Sequence, residues 1–167
     1  KRHSPYDWEG NVYYSGQFGR LGMNLNADYL SNRKDMVCNI SDVIDAGEQV
    51  DRFQEGVTTS RLAAAKLVLT YPVWKGQLEA GAEATSVERG SSYSITNYPL
   101  PASDSKVNEN NVSAFVSYGF ILPKFGSVSV GLRYEHVGFD YTDLLDDGNS
   151  MKRYQDEFFP SLSWAGQ

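Results

Sequence analysis

Two glutamates four residues apart, Glu79 and Glu83 in "QLEAGAEATS", are the first residues whose type and spacing could do chemistry. A carboxylate pair can act as acid and base, but glycosidase pairs stand about 5 to 9.5 Å apart. On one strand, four residues span roughly 13 Å at ~3.3 Å per residue. That spacing fits a row of charges along a strand. Arg133 and Glu135 flank Tyr134, and His136 follows. They could contact a ligand, or they could tie neighbouring strands together, and cross-strand pairing favours the second. His136 takes the parity of the apolar residues near a strand end, where an interface role is expected. His3 lies near the end of the chain, where order is usually low. "DLLDDGN" (143 to 149) suggests a calcium loop, yet Leu145 fills the third position and Tyr154 the twelfth, where oxygen ligands are required. An acidic exposed loop is expected there, with weak calcium binding by Asp143, Asp146 and Asp147 as the alternative.

Two distant histidines and the single Cys38 make no metal constellation, and one cysteine excludes an internal disulfide framework. There is no glycine-rich phosphate loop, serine-centred elbow or zinc signature. Neither histidine has an Asp or Ser partner at a plausible position. The expectation is therefore no enzyme, no metal and no cofactor. The aromatics of "NVYYSG" and "SLSWAGQ" could stack on sugars or bases, but strand packing and barrel girdles explain them more simply. A formal net charge of -6 argues against a nucleic-acid groove, which needs a basic footprint.

The elements that would carry these residues show period two. In "RLAAAKLVLTY", Ala63, Ala65, Leu67, Leu69 and Tyr71 alternate with Lys66 and Thr70. Leu78, Ala80, Ala82 and Ala84 alternate with Glu79, Gly81, Glu83 and Thr85. Val112, Ala114, Val116, Tyr118 and Phe120 oppose Ser113, Phe115, Ser117 and Gly119. Val128, Val130, Leu132 and Tyr134 oppose Ser129, Gly131, Arg133 and Glu135. Leu21, Met23, Leu25, Ala27 and Tyr29 oppose Gly22, Asn24, Asn26 and Asp28. Five such segments predict antiparallel sheet of about seven strands. Pro and Gly mark short turns at 17 to 22, 72 to 76 and 123 to 126. Long polar loops are expected at about 34 to 58, 88 to 109 and 142 to 152.

Short turns at one end and long loops at the other are the habit of outer-membrane barrels. The stretch 127 to 141 reads as one strand of about 15 residues, well beyond the usual 5 or 6. Pairing Tyr71 with Leu78 sets Lys66 opposite Glu83 and Thr70 opposite Glu79. Charges then complement one another on one face, and an unbroken apolar surface lies behind them. Lys66, Glu79, Glu83, Arg133 and Glu135 are expected to face a watery lumen. Trp74, in a short turn, is expected at the membrane interface. No run of about 18 apolar residues exists, so no transmembrane helix is expected.

The segments "KLVLTYPVWKGQLEAGAE", "NENNVSAFVSYGF", "VGLRYEHVGFDY" and "FFPSLSWA", in this order and spacing, resemble the barrel of the Bacteroidetes outer-membrane family related to TonB-dependent receptors. The resemblance covers most of residues 20 to 165. It implies a many-stranded antiparallel transmembrane barrel in the outer membrane of a Gram-negative cell. It also implies an N-terminal plug, an unknown ligand taken up, outer-membrane lipid around the barrel, and energy relayed by the TonB system. Residues 1–167 read as one segment of such a barrel, without the plug, the N-terminal domains or the last strands. An isolated piece is expected to self-associate through its open edges. The alternative is a complete small soluble β-barrel binding an apolar ligand inside, with Ala and Leu turned inward and the charges outward.

Overall fold

Each alternating segment becomes one strand because its apolar set falls on a single parity, with turn residues in between. The computed structural model describes residues 2–44, 48–97 and 101–166. Its strands are β1 (Arg2–Phe18), β2 (Leu21–Ile44), β3 (Glu48–Val73), β4 (Gly76–Ile95), β5 (Ser103–Leu122), β6 (Gly126–Asp143) and β7 (Met151–Ala165). Each pairs antiparallel with the next, and spatial order equals chain order. The result is the expected all-β meander of seven strands. The sheet does not close: β1 and β7 are its two edges.

At one end the connections are minimal. Gly19–Arg20 joins β1 to β2, Trp74–Lys75 joins β3 to β4, and residues 123–125 join β5 to β6. Gly19 and Trp74 have φ of 61° and 59°, the positive value that a two-residue hairpin needs at its first central position. At the other end two of the three expected long loops, 34–58 and 88–109, are a correction, whereas the one at 142–152 is present. Strand continues through 34–44 and 48–58, and again through 88–95 and 103–109. Residues 45–47 and 98–100, which fall within two of the expected loops, lie outside the described residues, and 144–150 connect β6 to β7. Both faces of these extensions meet water, so polar residues fill both parities and imitate a loop in composition.

Registers settle the faces. Tyr71 pairs with Leu78, Thr70 with Glu79 and Lys66 with Glu83, as the alternation predicts. Through successive pairings, Leu67, Ala82, Ala114, Tyr134 and Phe158 share one row of the apolar face. Asn26, Lys66, Glu83, Ser113, Glu135 and Glu157 share one row of the opposite, polar face. Burial is inverted relative to a water-soluble sheet. Val112, Ala114 and Val116 are exposed, whereas Asn111, Phe115 and Ser117 are half-buried and Ser113 is 1% exposed. Among the described residues no apolar side chain is buried. The soluble-barrel alternative required an inward apolar face and a closed wall, and neither is present.

The Phe115 ring lies over Gly81 on the polar face. A Cβ at Gly81 would sit 2.5 Å from that ring and 2.7 Å from the Leu67 carbonyl oxygen. Gly81→Ala should therefore cost about 1–3 kcal/mol, the usual range for overpacking. Phe115→Ala in the same chain should recover part of it. Denaturant titration of the folded, membrane-embedded protein measures both, and a neutral Gly81→Ala would show that the ring does not need the space.

Candidate functional site

The expected charges all project from the polar face, and the sheet connects four of them. Lys66 Nζ lies 3.7 Å from Glu83, Arg133 lies 3.9 Å from the same carboxylate, and Arg133 Nε donates to Glu135 at 2.5 Å. Lys66 and Glu83 come from adjacent strands, β3 and β4. Arg133 reaches across β5 to Glu83. Ser113 lies beneath, between Glu83 and Glu135 in the same row. Glu79 stands apart from this chain of charges, two residues nearer the short turns than the Gly81 row, opposite Thr70 and Ser117.

The same face carries polar residues that the charge pattern alone did not single out. The Asn11 amide donates to Asn26 and Asp28, and Asn26 donates to Asp28. Glu157 lies opposite Glu135 and accepts from Gln155. Phe115 and Phe159 flank Arg133 in its row. Parity would have placed each of these once the strand pairs were known. The arrangement is a wet, hydrogen-bonded wall. It contains no cluster of three metal-ligating side chains among the described residues.

The apolar face forms a belt. On β3 it runs from Ala63 to Tyr71, on β4 from Leu78 to Ala84, on β5 from Val112 to Phe120, on β6 from Val128 to Tyr134 and on β7 from Phe158 to Trp164. Aromatics gather at both margins. Phe18, Tyr71, Tyr118, Phe120 and Trp164 stand near the short turns, with Trp74 97% exposed in the turn itself. Tyr29, Tyr134 and Phe158 stand at the far margin, the last two with ring centroids 5.0 Å apart. Such paired girdles are the mark of a sheet that meets two membrane–water interfaces.

Beyond that far margin the first polar residues of the same face are Arg61, Ser86, Asn110, His136 and Asp156, on β3 to β7 in turn. Ser86 pairs with Asn110, and His136 with Asp156, so those steps are level. Arg61 pairs with Glu88 and Asn110 with Gly138, so each of the other two steps drops two residues. The margin thus descends four residues over four steps, one per strand. With ~3.3 Å per residue and strands about 4.8 Å apart, the strands tilt about 35° from the normal of that margin. Transmembrane barrels tilt by about 35–45°. Just above the margin the two faces exchange character. Leu30, Leu62, Val87 and Phe139 now occupy the formerly polar face, with Arg61, Glu88, Asn108 and Asp140 on the other.

This upper margin carries its own ion pairs. Glu88 accepts from both Arg61 (3.3 Å) and Lys106 (3.2 Å), and Lys152 meets Asp140 at 2.9 Å. Lys152 lies beyond the belt, and the Asp140 carboxylate holds its ammonium above the ordinary lysine value. His136 corrects one expectation: it does have an acidic partner, since Nδ1 lies 2.7 Å from Asp156, which also accepts from the Tyr134 hydroxyl. Asp156 is on the next strand, twenty residues away, so local spacing could not reveal it. The ring also stacks on Tyr154 at 6.1 Å. Asp143 and Asp146 of the acidic loop accept backbone N–H groups of Leu145, Asp146 and Gly148, which is turn chemistry.

Comparison with known proteins agrees with this geometry. The profile described as "Outer membrane protein beta-barrel family" matches residues 17–166. None of the curated proteins matches in sequence. Among solved structures, the ferric yersiniabactin uptake receptor FyuA from Yersinia pestis superposes with a TM-score of 0.60 at 10% identity, over 96% of this chain and 25% of that one. The ferric citrate transporter FecA, in its unliganded form, gives 0.59 at 10% identity, over 95% of this chain and 24% of its own. The likeness is one of fold, and the chain spans about a quarter of each of these structures.

Proposed function

Because the chain belongs to the outer membrane protein β-barrel family, we propose that it forms one wall segment of a larger TonB-dependent-receptor-like barrel that takes up a ligand across the outer membrane. Its place is the outer membrane of a Gram-negative cell, and its exposed apolar belt meets lipid. The carrying observation is the margin of that belt, which descends one residue per strand between aromatic girdles. Lys66, Glu79, Glu83, Arg133 and Glu135 then line the lumen. The β2–β3 and β4–β5 hairpins reach outward beyond the bilayer and supply recognition surface, because binding residues concentrate on segments that a rigid scaffold holds out. From Ala63 upward, β3 extends fifteen residues, about 50 Å along the strand. Residues 1–167 contribute barrel only. The plug and the contact with the TonB system belong to other parts of the parent chain.

Growth on a panel of ferric chelates and glycans as sole iron or carbon source tests this reading across the ligand classes such barrels admit. A strain lacking the parent gene and a strain lacking the energy coupler should share at least one nutrient defect. Full complementation of the first by the parent gene with the paired stretches Asn39–Val43 and Gln49–Phe53 excised would remove the β2–β3 hairpin from the recognition role, and the absence of any shared defect would end the uptake reading.

The edges make a separate prediction. Kept in aqueous buffer, residues 1–167 alone should form oligomers, because β1 and β7 present unpaired backbone groups and the belt is uncovered. Analytical ultracentrifugation decides it: a monodisperse monomer without detergent would contradict both exposures.

A further inference from the structure

At mid-membrane depth the polar wall is hollowed. Gly131 is the midpoint of the β6 belt segment, Val128 to Tyr134, and its parity is that of the polar face. Ser117 and Ser161 flank it in one row, and Phe115, Arg133 and Phe159 make the next row toward the long hairpins. With Lys66 reaching in from β3, these residues line a hollow of about 340 Å³. The room depends on the glycine. A Cβ at Gly131 would stand 2.7 Å from the Ser161 hydroxyl and 3.2 Å from the Ser117 Cβ. The floor is therefore flat, and a phenyl ring stands over it on either side.

The lining holds Lys66 and Arg133 and no carboxylate. The pairing of these two cations is incomplete. Lys66 Nζ lies 3.7 Å and Arg133 Nη2 3.9 Å from Glu83, which are charge contacts too long for hydrogen bonds. Arg133 Nε donates to Glu135. A guanidinium has five N–H donors and an ammonium three. Among the described residues, no acceptor lies within hydrogen-bond distance of the remaining Arg133 donors or of Lys66. A carboxylate entering the hollow gains the charge-assisted bonds that Glu83 leaves unmade. Further negative charge is unwelcome, because Glu79 stands just beyond Ser117. The donors thus select one carboxylate, and the phenyl rings and glycine floor select a flat apolar body to carry it.

We propose that this hollow binds an aromatic monocarboxylate, its ring on Gly131 between Phe115 and Phe159 and its carboxylate on Lys66 and Arg133. The site deepens the uptake reading, since it lies on the route through the lumen, far from the long hairpins. It rests on the lumen-facing assignment of the polar wall. Binding itself needs no energy coupling, so it is measurable whether or not uptake is.

The test uses the full-length protein, purified in detergent, with 2-naphthoate as probe. Equilibrium dialysis against matched empty micelles compares it with 2-naphthalenemethanol, cyclohexanecarboxylate and 2-naphthylmethylammonium. The first comparator lacks the charge, the second lacks the aromatic face and the third reverses the charge. The naphthoate should bind about tenfold tighter than each, roughly the effect of one charge-assisted bond or one ring contact. Lys66→Gln and Phe159→Leu should each remove most of that preference with the melting temperature of the empty protein unchanged. Lys66→Arg, which keeps charge and donors, should bind within about threefold of the wild type and so separates loss of the site from loss of the fold. Equal binding of the four molecules, or undiminished preference in either Lys66→Gln or Phe159→Leu, would overturn the site. The growth comparison tests uptake independently, and Leu67→Arg against Val68→Arg tests the assignment of the faces.

Discussion

Leu67→Arg should destabilise the membrane-embedded protein by about 2–4 kcal/mol, the cost of a cationic side chain on the lipid face at mid-bilayer. Leu67 is the central residue of the β3 belt, four residues from each of Ala63 and Tyr71. The depth-matched comparison is Val68→Arg. Val68 is the next residue on the same strand, and its side chain enters the polar face beside Asn24 and Gly81. There the new guanidinium stays in water near carboxylates, and the change should cost less than about 1 kcal/mol. Guanidinium titration of the reconstituted protein, followed by tryptophan emission, gives both values. Similar losses at the two positions, or a larger loss at Val68, would reverse the assignment of the faces, and the lumen and the lipid would change places.

Reversing one charge in the polar wall should have an effect of similar size. Arg133 is the cation common to Glu83 and Glu135, and Glu157 lies opposite Glu135 on β7. Arg133→Glu sets four carboxylates around Ser113, with Lys66 as the cation that stays beside Glu83. The groups are a quarter to a third exposed, so solvent screens part of the repulsion. A loss of about 2–3 kcal/mol follows, between the values for exposed and buried pairs. The charge swap Arg133→Glu with Glu135→Arg should restore more than half of it, because the neighbouring pair is re-formed with its order exchanged. If the swap is as unstable as the single variant, the wall depends on position and not on pairing. Raising the salt concentration should shrink the single-variant loss and leave the Leu67→Arg loss unchanged.

Much of this was legible in the sequence because side-chain parity is a local property. Ala63 to Tyr71 against Leu78 to Ala84 announces both the strand pair and its register, and Lys66 opposite Glu83 follows from counting. The turns were legible for the same reason, since Gly19 and Pro72 break the alternation where the chain reverses. The outward extensions were not. In 48–58 and 88–95 both faces meet water, so no apolar parity survives and the composition is that of a loop. Only pairing with a neighbour shows that "VDRFQEGVT" is strand. The His136–Asp156 pair and the ion pairs of Glu88 with Arg61 and Lys106 were hidden differently. Each depends on residues from separate strands, brought level by a margin whose slope is a property of the sheet as a whole.

A sheet in which no described apolar side chain is shielded from its surroundings has a consequence for the biogenesis of the protein. Its driving force for structure is released only when hydrocarbon replaces water along the belt, so acquiring the fold and entering the bilayer are a single event. Before that event the belt has no partner in water, and the hydrocarbon that receives it is as much a determinant of the native state as the residues themselves are.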